Sequence, residues 1–140
     1  MDGFSYTTVI EPAEPFAGWR GFGSLGGITC TSDLYMILEV AILNVRDGVS
    51  DAFELAFREA STIIASVPGY HSHELRRCVE APSRYILLVH WHRLEDHTVG
   101  FRQSAEYQRW RTLLHHFYDP FPTVEHYGQP LVTHTAKHIT

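Results

Sequence analysis

Cysteine is nearly absent: Cys30 and Cys78 are the only two, with no Cys-x-x-Cys or other zinc-like spacing. That excludes a disulfide scaffold and a zinc module, and both read as free thiols of a reducing compartment. Long apolar runs are missing as well. None approaches the ~18 residues of a spanning helix, so no membrane partner is expected. Charge is sparse, at 19% of residues, and 11 basic against 16 acidic side chains leave a net charge of -5. The chain therefore lacks the basic footprint that displaces counterions from nucleic acid. The first residues carry no basic start, apolar stretch and small-residue cleavage site of the secretory kind, and cytoplasmic residence is the expectation. A nucleophile elbow, a phosphate loop and a zinc-protease motif are all absent from the sequence.

What is present suits one compact core. At 140 residues, 44% of them hydrophobic, a single domain buries roughly 68–70% of the surface that its unfolded chain exposes. Ten histidines make any site sensitive to pH, because imidazole titrates near ~6.5. Residues 1–33 read as an irregular arm: Pro12, Pro15, Gly18, Gly21, Gly23, Gly26 and Gly27 interrupt every period, among scattered aromatics. A packed arm and a frayed leader fit equally well. Regular patterning begins at Leu34, so the domain is placed at 34–131, with a tail over 132–140.

Residues 34–45 are rich in Leu, Ile and Val and end at Arg46-Asp47-Gly48, the pattern of a buried strand and a turn. Asp51 with Glu54 resembles a capping pair. Phe53, Ala56, Phe57, Ala60, Ile63, Ile64 and Val67 then recur every three or four residues, which predicts an amphipathic helix stopped by Pro68-Gly69. Two extended stretches, 70–80 and 84–93, joined by Ala81-Pro82-Ser83, predict a hairpin. The second is apolar on both faces, so it calls for cover on both sides, by a helix and by a second subunit. A short helix or turn follows over 95–103. Ser104 caps a longer helix bearing Tyr107, Trp110, Leu113, Leu114 and Phe117, ended by Asp119-Pro120, and 123–131 closes as a strand. The order βαββαβ is the ferredoxin-like α+β arrangement, an antiparallel sheet with helices on one face.

Five pieces then resemble a known family, the antibiotic biosynthesis monooxygenase domains: VPGY at 67–70, RYILLVHW at 84–91, GFRQS at 100–104, WR at 110–111 and PTVEHY at 122–127. The resemblance implies a homodimer whose two sheets close a dimeric α/β barrel, with a ligand cavity between sheet and helices in each subunit. It implies oxidation of an aromatic, polyketide-like phenol or quinol by dioxygen, with no cofactor. Fold alone does not fix that function. Two alternatives stand beside it: a non-catalytic dimeric module that binds a small molecule, and a haem-degrading monooxygenase. The haem branch would place its functional residues at Phe101 and Arg111, which neither donate an indole N–H nor ligate iron, leaving His115 or His116 as substitutes.

By the same resemblance, Trp91, His97 and Arg111 are the catalytic candidates. Trp91 offers a flat indole wall and one N–H donor. His97 stands where the oxygenases have a tyrosine, as a base near neutral pH, and Arg111 would face a developing anion. Phe101, Leu87 and Tyr70 are assigned to substrate binding, with Leu87 replacing an expected asparagine. Plainer readings exist for each: a core tryptophan, an exposed histidine in a polar turn, and a solvated arginine or one paired with Glu106. His71, His73, His90 and His92 lie on the hairpin. A two-residue connection sets His73 opposite His90 and His71 opposite His92 as a metal patch, whereas a three-residue connection puts the pairs on opposite faces. The second is preferred because it groups Trp91 with Tyr85, Leu87 and Val89, and no metal is assigned. His126 reads as strand packing.

Overall fold

The computed structural model describes residues 36–137. The proposed arm, Cys30 and the first residues of the expected domain lie outside them. Four strands and two main helices follow one another as β1 (Ile37–Asn44), α1 (Ser50–Ile64), β2 (Tyr70–Arg77), β3 (Arg84–Trp91), α2 (Ala105–Leu114) and β4 (Thr123–Tyr127). A π-helical turn, Asp96–Phe101, precedes α2, and a 3-10 turn, His115–Phe117, follows it. The sheet order is β2-β3-β1-β4, with every pairing antiparallel. This is the ferredoxin-like α+β fold expected from the βαββαβ order.

Alternation along the strands explains why one face carries the helices. In β1, Glu39, Ala41 and Leu43 are buried, while the residues between them are not. In β3, Tyr85, Leu87, Val89 and Trp91 are buried in the same way, as period-two geometry requires. Phe53, Phe57, Ala60 and Ile64 of α1 and Tyr107, Trp110 and Leu114 of α2 complete the core. Phe53 sits at its centre, against Phe57, Tyr85, Phe117 and Tyr118 at ring-centroid separations of 4.9–5.9 Å.

Several local expectations are corrected. Helix α1 has Val49 at its N-cap and no side-chain cap. Glu54 is drawn away from the backbone by Tyr85, whose hydroxyl donates to it at 2.5 Å, and by Arg77, which pairs with it. Ser104 does cap α2, accepting from the Tyr107 N–H at 3.1 Å. Strand β4 stops at Tyr127 rather than reaching Leu131.

The hairpin register matches neither connection considered. His73 pairs with Val89 and Ser72 with His90, then the register shifts so that Tyr70 pairs with Trp91. His71 is the extra residue of this bulge. As a result His73 turns toward α1, while the His71 ring joins His92 and His90 on the open face, at 5.9 and 6.4 Å. Three of the four histidines share a face. Among the described residues no group of three or more His, Cys, Asp or Glu is arranged to hold a metal ion.

Gly69 ties the start of β2 to the end of β3. Its φ of +86° suits glycine alone, and a Cβ there would run into the Asp96 side chain. Its carbonyl accepts from the His92 N–H at 2.8 Å, and Asp96 accepts from the Arg93 N–H at 3.0 Å. The π-helical turn is thereby pinned at the mouth of the hairpin.

Candidate active site

At the end of the sheet where β1, β3 and β4 lie side by side, the helix face carries polar groups in place of the aliphatic core. Glu39 of β1 is 5% exposed and His97 of the π-helical turn 4%, and they are the two buried polar side chains among the described residues. Trp91, fully buried, donates its indole N–H to Glu39 Oε2 at 2.7 Å. His97 stacks on that indole, with centroids 5.3 Å apart and planes 21° from parallel, and its Nε2 lies 3.4 Å from the same carboxyl oxygen. On its other side, His97 Nδ1 is hydrogen-bonded to His126 Nε2 of β4 at 2.8 Å. Glu39 and His126 are directly paired across β1 and β4, so both side chains leave the sheet on the same face.

The π-helical turn makes this grouping possible. Its wider winding, with the Arg102 N–H bonded to the His97 carbonyl at 3.2 Å, brings both His97 and Phe101 onto the indole. Phe101 lies 5.8 Å from Trp91 and 6.1 Å from His97. Tyr70 closes the group edge-on to Trp91 at 6.2 Å. Its hydroxyl is bonded to His73 Nδ1 at 2.5 Å, and His73 Nε2 in turn to Ser61 Oγ at 3.0 Å.

Burial sets the protonation of the cluster. Desolvation raises the Glu39 carboxyl to about 7, against the opposing pull of the Trp91 N–H and the Arg102 charge. Desolvation also holds His97 well below the usual imidazole range, helped by Arg102 and His126. The same two influences, burial and Arg102, lower half-buried His126. Both imidazoles are thus neutral at pH 7, beside a carboxyl poised to gain or lose a proton there.

The residues singled out in the sequence fall into three places. Trp91, His97, Phe101 and Tyr70 come together, and the exposed-turn reading of His97 is overturned by its burial. Leu87 lies on the same face of β3, paired with Leu75 and Ala41 rather than with the polar cluster. Arg111 is on α2, where its guanidinium donates to Gln108 at 3.4 Å, and the positive charge that reaches the cluster is that of Arg102. Glu39, Arg102 and His126 are functional candidates that sequence reasoning missed. The signal for Glu39 was its parity with Ala41 and Leu43, and for His126 its parity with Val124, which places both in the buried rows of their strands. Two surface clefts, of about 410 Å³ between α1 and α2 and about 430 Å³ between α1 and β2, do not border the Trp91 indole.

Comparison with known proteins agrees with this architecture. Residues 36–113 match the family model "antibiotic biosynthesis monooxygenase". The uncharacterised protein YczJ of Bacillus subtilis (strain 168) is 53% identical over 92 residues, 66% of this chain and 97% of that protein. A crystal structure from Bordetella bronchiseptica, assigned to the antibiotic biosynthesis monooxygenases, is 38% identical and superposes with a TM-score of 0.66, covering 69% of this chain and 98% of the other. SnoaB of Streptomyces nogalater, a cofactor-independent oxygenase, shares the fold at 19% identity and a TM-score of 0.56, over 74% of this chain and 98% of its own. The family model spans more than half of the sequence and YczJ is aligned along nearly its whole length, so this chain belongs to the antibiotic biosynthesis monooxygenase family.

Proposed function

We propose that this protein is a cytoplasmic, homodimeric, cofactor-independent monooxygenase that oxidises an electron-rich aromatic phenol, quinol or anthrone with dioxygen. The observation that carries the reading is the buried contact of the Trp91 indole, the His97 imidazole and the Glu39 carboxyl: an aromatic wall and an acid–base pair held away from water. Membership of the family and the fold shared with SnoaB support the reaction class.

Ground-state dioxygen is a triplet and reacts slowly with closed-shell molecules, so the substrate itself has to supply an electron. Removing a proton from an electron-rich ring makes that transfer easier, and a neutral imidazole in a dry site is a suitable acceptor. In this reading His97 takes the proton, Trp91 with Phe101 and Tyr70 orients the ring, and the positive field of Arg102 stabilises the anion. That last part is assigned to Arg102 rather than Arg111 because its charge reaches the cluster. Dioxygen then bonds to the activated carbon; one oxygen atom is kept in the quinone and the other leaves as water with two hydrogens from the substrate. The indole is fully buried and borders neither surface cleft, so this reading requires the site to open before a ring can reach it.

The second copy belongs on the open face. Leu38, Val40, Ile42, Ile86 and Leu88 share it, and all are incompletely buried, which suits pairing with the same face of another subunit.

Metal-free protein is expected to consume oxygen with an anthrone or a dihydroxynaphthalene. Trp91→Phe and His97→Asn should each slow this by about tenfold or more, the scale of a lost acid–base or positioning group. Equal uptake by the wild type and both variants would refute the oxygenase reading, and a ligand-induced rise in melting temperature without uptake would favour a binding module.

A further inference from the structure

We propose that Glu39, His97 and His126 form a proton wire, in which the carboxyl beside the indole exchanges its proton with edge strand β4 through a joint switch of both imidazole tautomers. Three separate elements supply the three groups: β1, the π-helical turn and β4. The links are 3.4 Å from Glu39 Oε2 to His97 Nε2 and 2.8 Å from His97 Nδ1 to His126 Nε2. The first is a few tenths of an ångström longer than a settled hydrogen bond, so the wire requires it to shorten when the proton passes.

The wire has two arrangements. In one, Glu39 is a neutral acid donating to His97 Nε2, His97 donates from Nδ1 to His126 Nε2, and His126 carries its proton on Nδ1. In the other, Glu39 is a carboxylate accepting from His97 Nε2–H, while His97 Nδ1 accepts from His126 Nε2–H. Passing from the first to the second breaks three bonds to hydrogen, at Glu39 Oε2, His97 Nδ1 and His126 Nδ1. It forms two, at His97 Nε2 and His126 Nε2, and releases one proton from His126 to solvent. In neither arrangement is a ring a cation, which suits two imidazoles that burial keeps neutral. Among the described residues, the charges that act on the wire are that of Arg102, whose field reaches all three members, and those of the members themselves. From β3 the Trp91 N–H donates to the Glu39 carboxyl. His126 is half-buried on a strand that, among the described residues, pairs with β1 alone, so it is the outward end. Resting on the oxygenase reading, the wire's task is to carry the substrate's proton away from the dry site after His97 or Glu39 has taken it.

Two-bond proton–nitrogen NMR on protein labelled with ¹⁵N-histidine reads the tautomer of each ring, with His97→Asn and His126→Asn providing the assignments. Across about pH 5 to 9, a range that brackets carboxyl and imidazole titration, His97 and His126 should exchange tautomers together, with one midpoint near 7 where the Glu39 carboxyl titrates. Glu39→Gln, which keeps the shape and the acceptor for Trp91, should leave both rings in a single tautomer throughout. Rings that stay fixed while the Glu39 carboxyl carbon titrates in the wild type, or that switch at separate pH values, overturn the wire. No substrate enters this measurement. A negative result therefore leaves the oxygenase reading standing, and failure of oxygen uptake leaves the wire standing.

Discussion

The two faces of one sheet are built from alternate residues of the same strands, yet they are treated in opposite ways. On the helix face, Ala41, Leu43, Leu87, Val89 and Trp91 are almost wholly enclosed, and within that apolar layer two ionisable groups, Glu39 and His97, are enclosed as well. On the open face the aliphatic side chains of Val40, Ile86 and Leu88 are partly covered, and Ile42 remains 37% exposed, with Tyr127 nearby on β4. Burying an ionisable group costs free energy unless it is partnered. The helix face meets that cost with the Trp91 N–H and the His97–His126 pair, and no buried side-chain nitrogen or oxygen among the described residues lacks a hydrogen bond. The aliphatic strip, partly exposed among the described residues, has the reverse character: it is cheap to build and gains by being covered. On the function proposed above, the contrast separates chemistry, placed inside, from assembly, placed outside.

The sharpest way to break the contrast is to empty the helix face. Trp91→Ala removes a fully buried indole and the donor that satisfies Glu39, and should lower the free energy of unfolding by about 3–5 kcal/mol, as read from denaturant melts. A loss below about 1 kcal/mol would mean that the enclosure is not what holds this end of the sheet. The next largest effect concerns pH. Glu39 is raised from 4.5 to about 7, so between those values the folded state holds more protons than the unfolded chain, and this group's contribution to stability falls as pH rises. His97 is shifted the other way, below 6.5, so its contribution falls as pH drops beneath that value. Subtracting the stability of Glu39→Gln from that of the wild type isolates the first effect. The difference should decline by up to roughly 3 kcal/mol from pH 4.5 to pH 7 and above. A flat difference would show the carboxyl to be ordinarily solvated. The smallest effect on folding belongs to the open face. Ile42→Asp should change the unfolding free energy of the isolated chain by less than about 1 kcal/mol, as for a surface position. It should nonetheless convert a dimer in sedimentation equilibrium into a species of 16.0 kDa. A wild type that already sediments at that mass would remove the assembly half of the contrast.

Much of the fold is legible in the sequence, because strand alternation, the helical recurrence from Phe53 to Ile64 and the breaks at Gly48 and Pro68-Gly69 all point to one topology. Ser104 is legible as a cap for the same local reason. Less of the site can be read. Trp91, His97 and Phe101 are found together, but the enclosure of His97 depends on a π-helical winding that no simple periodicity announces. Glu39 hides inside a strand that otherwise reads as continuous apolar sequence, and its importance appears only when its row is matched to Trp91 and His126 on neighbouring strands. The hairpin shows a different obstacle. One additional residue in β2 transfers His71 to the opposite side, and a period-two pattern carries no mark of where such an insertion falls.

The left-handed backbone at Gly69 has a consequence for anyone hunting inactive variants. Any side chain at this position collides with Asp96, and Asp96 opens the turn on which the imidazole rides, so the substitution shifts His97 without touching it. Random mutagenesis scored by turnover should thus return position 69 alongside the proposed acid–base residues. The fault there would be one of aim: the reacting groups all intact, and pointed slightly the wrong way.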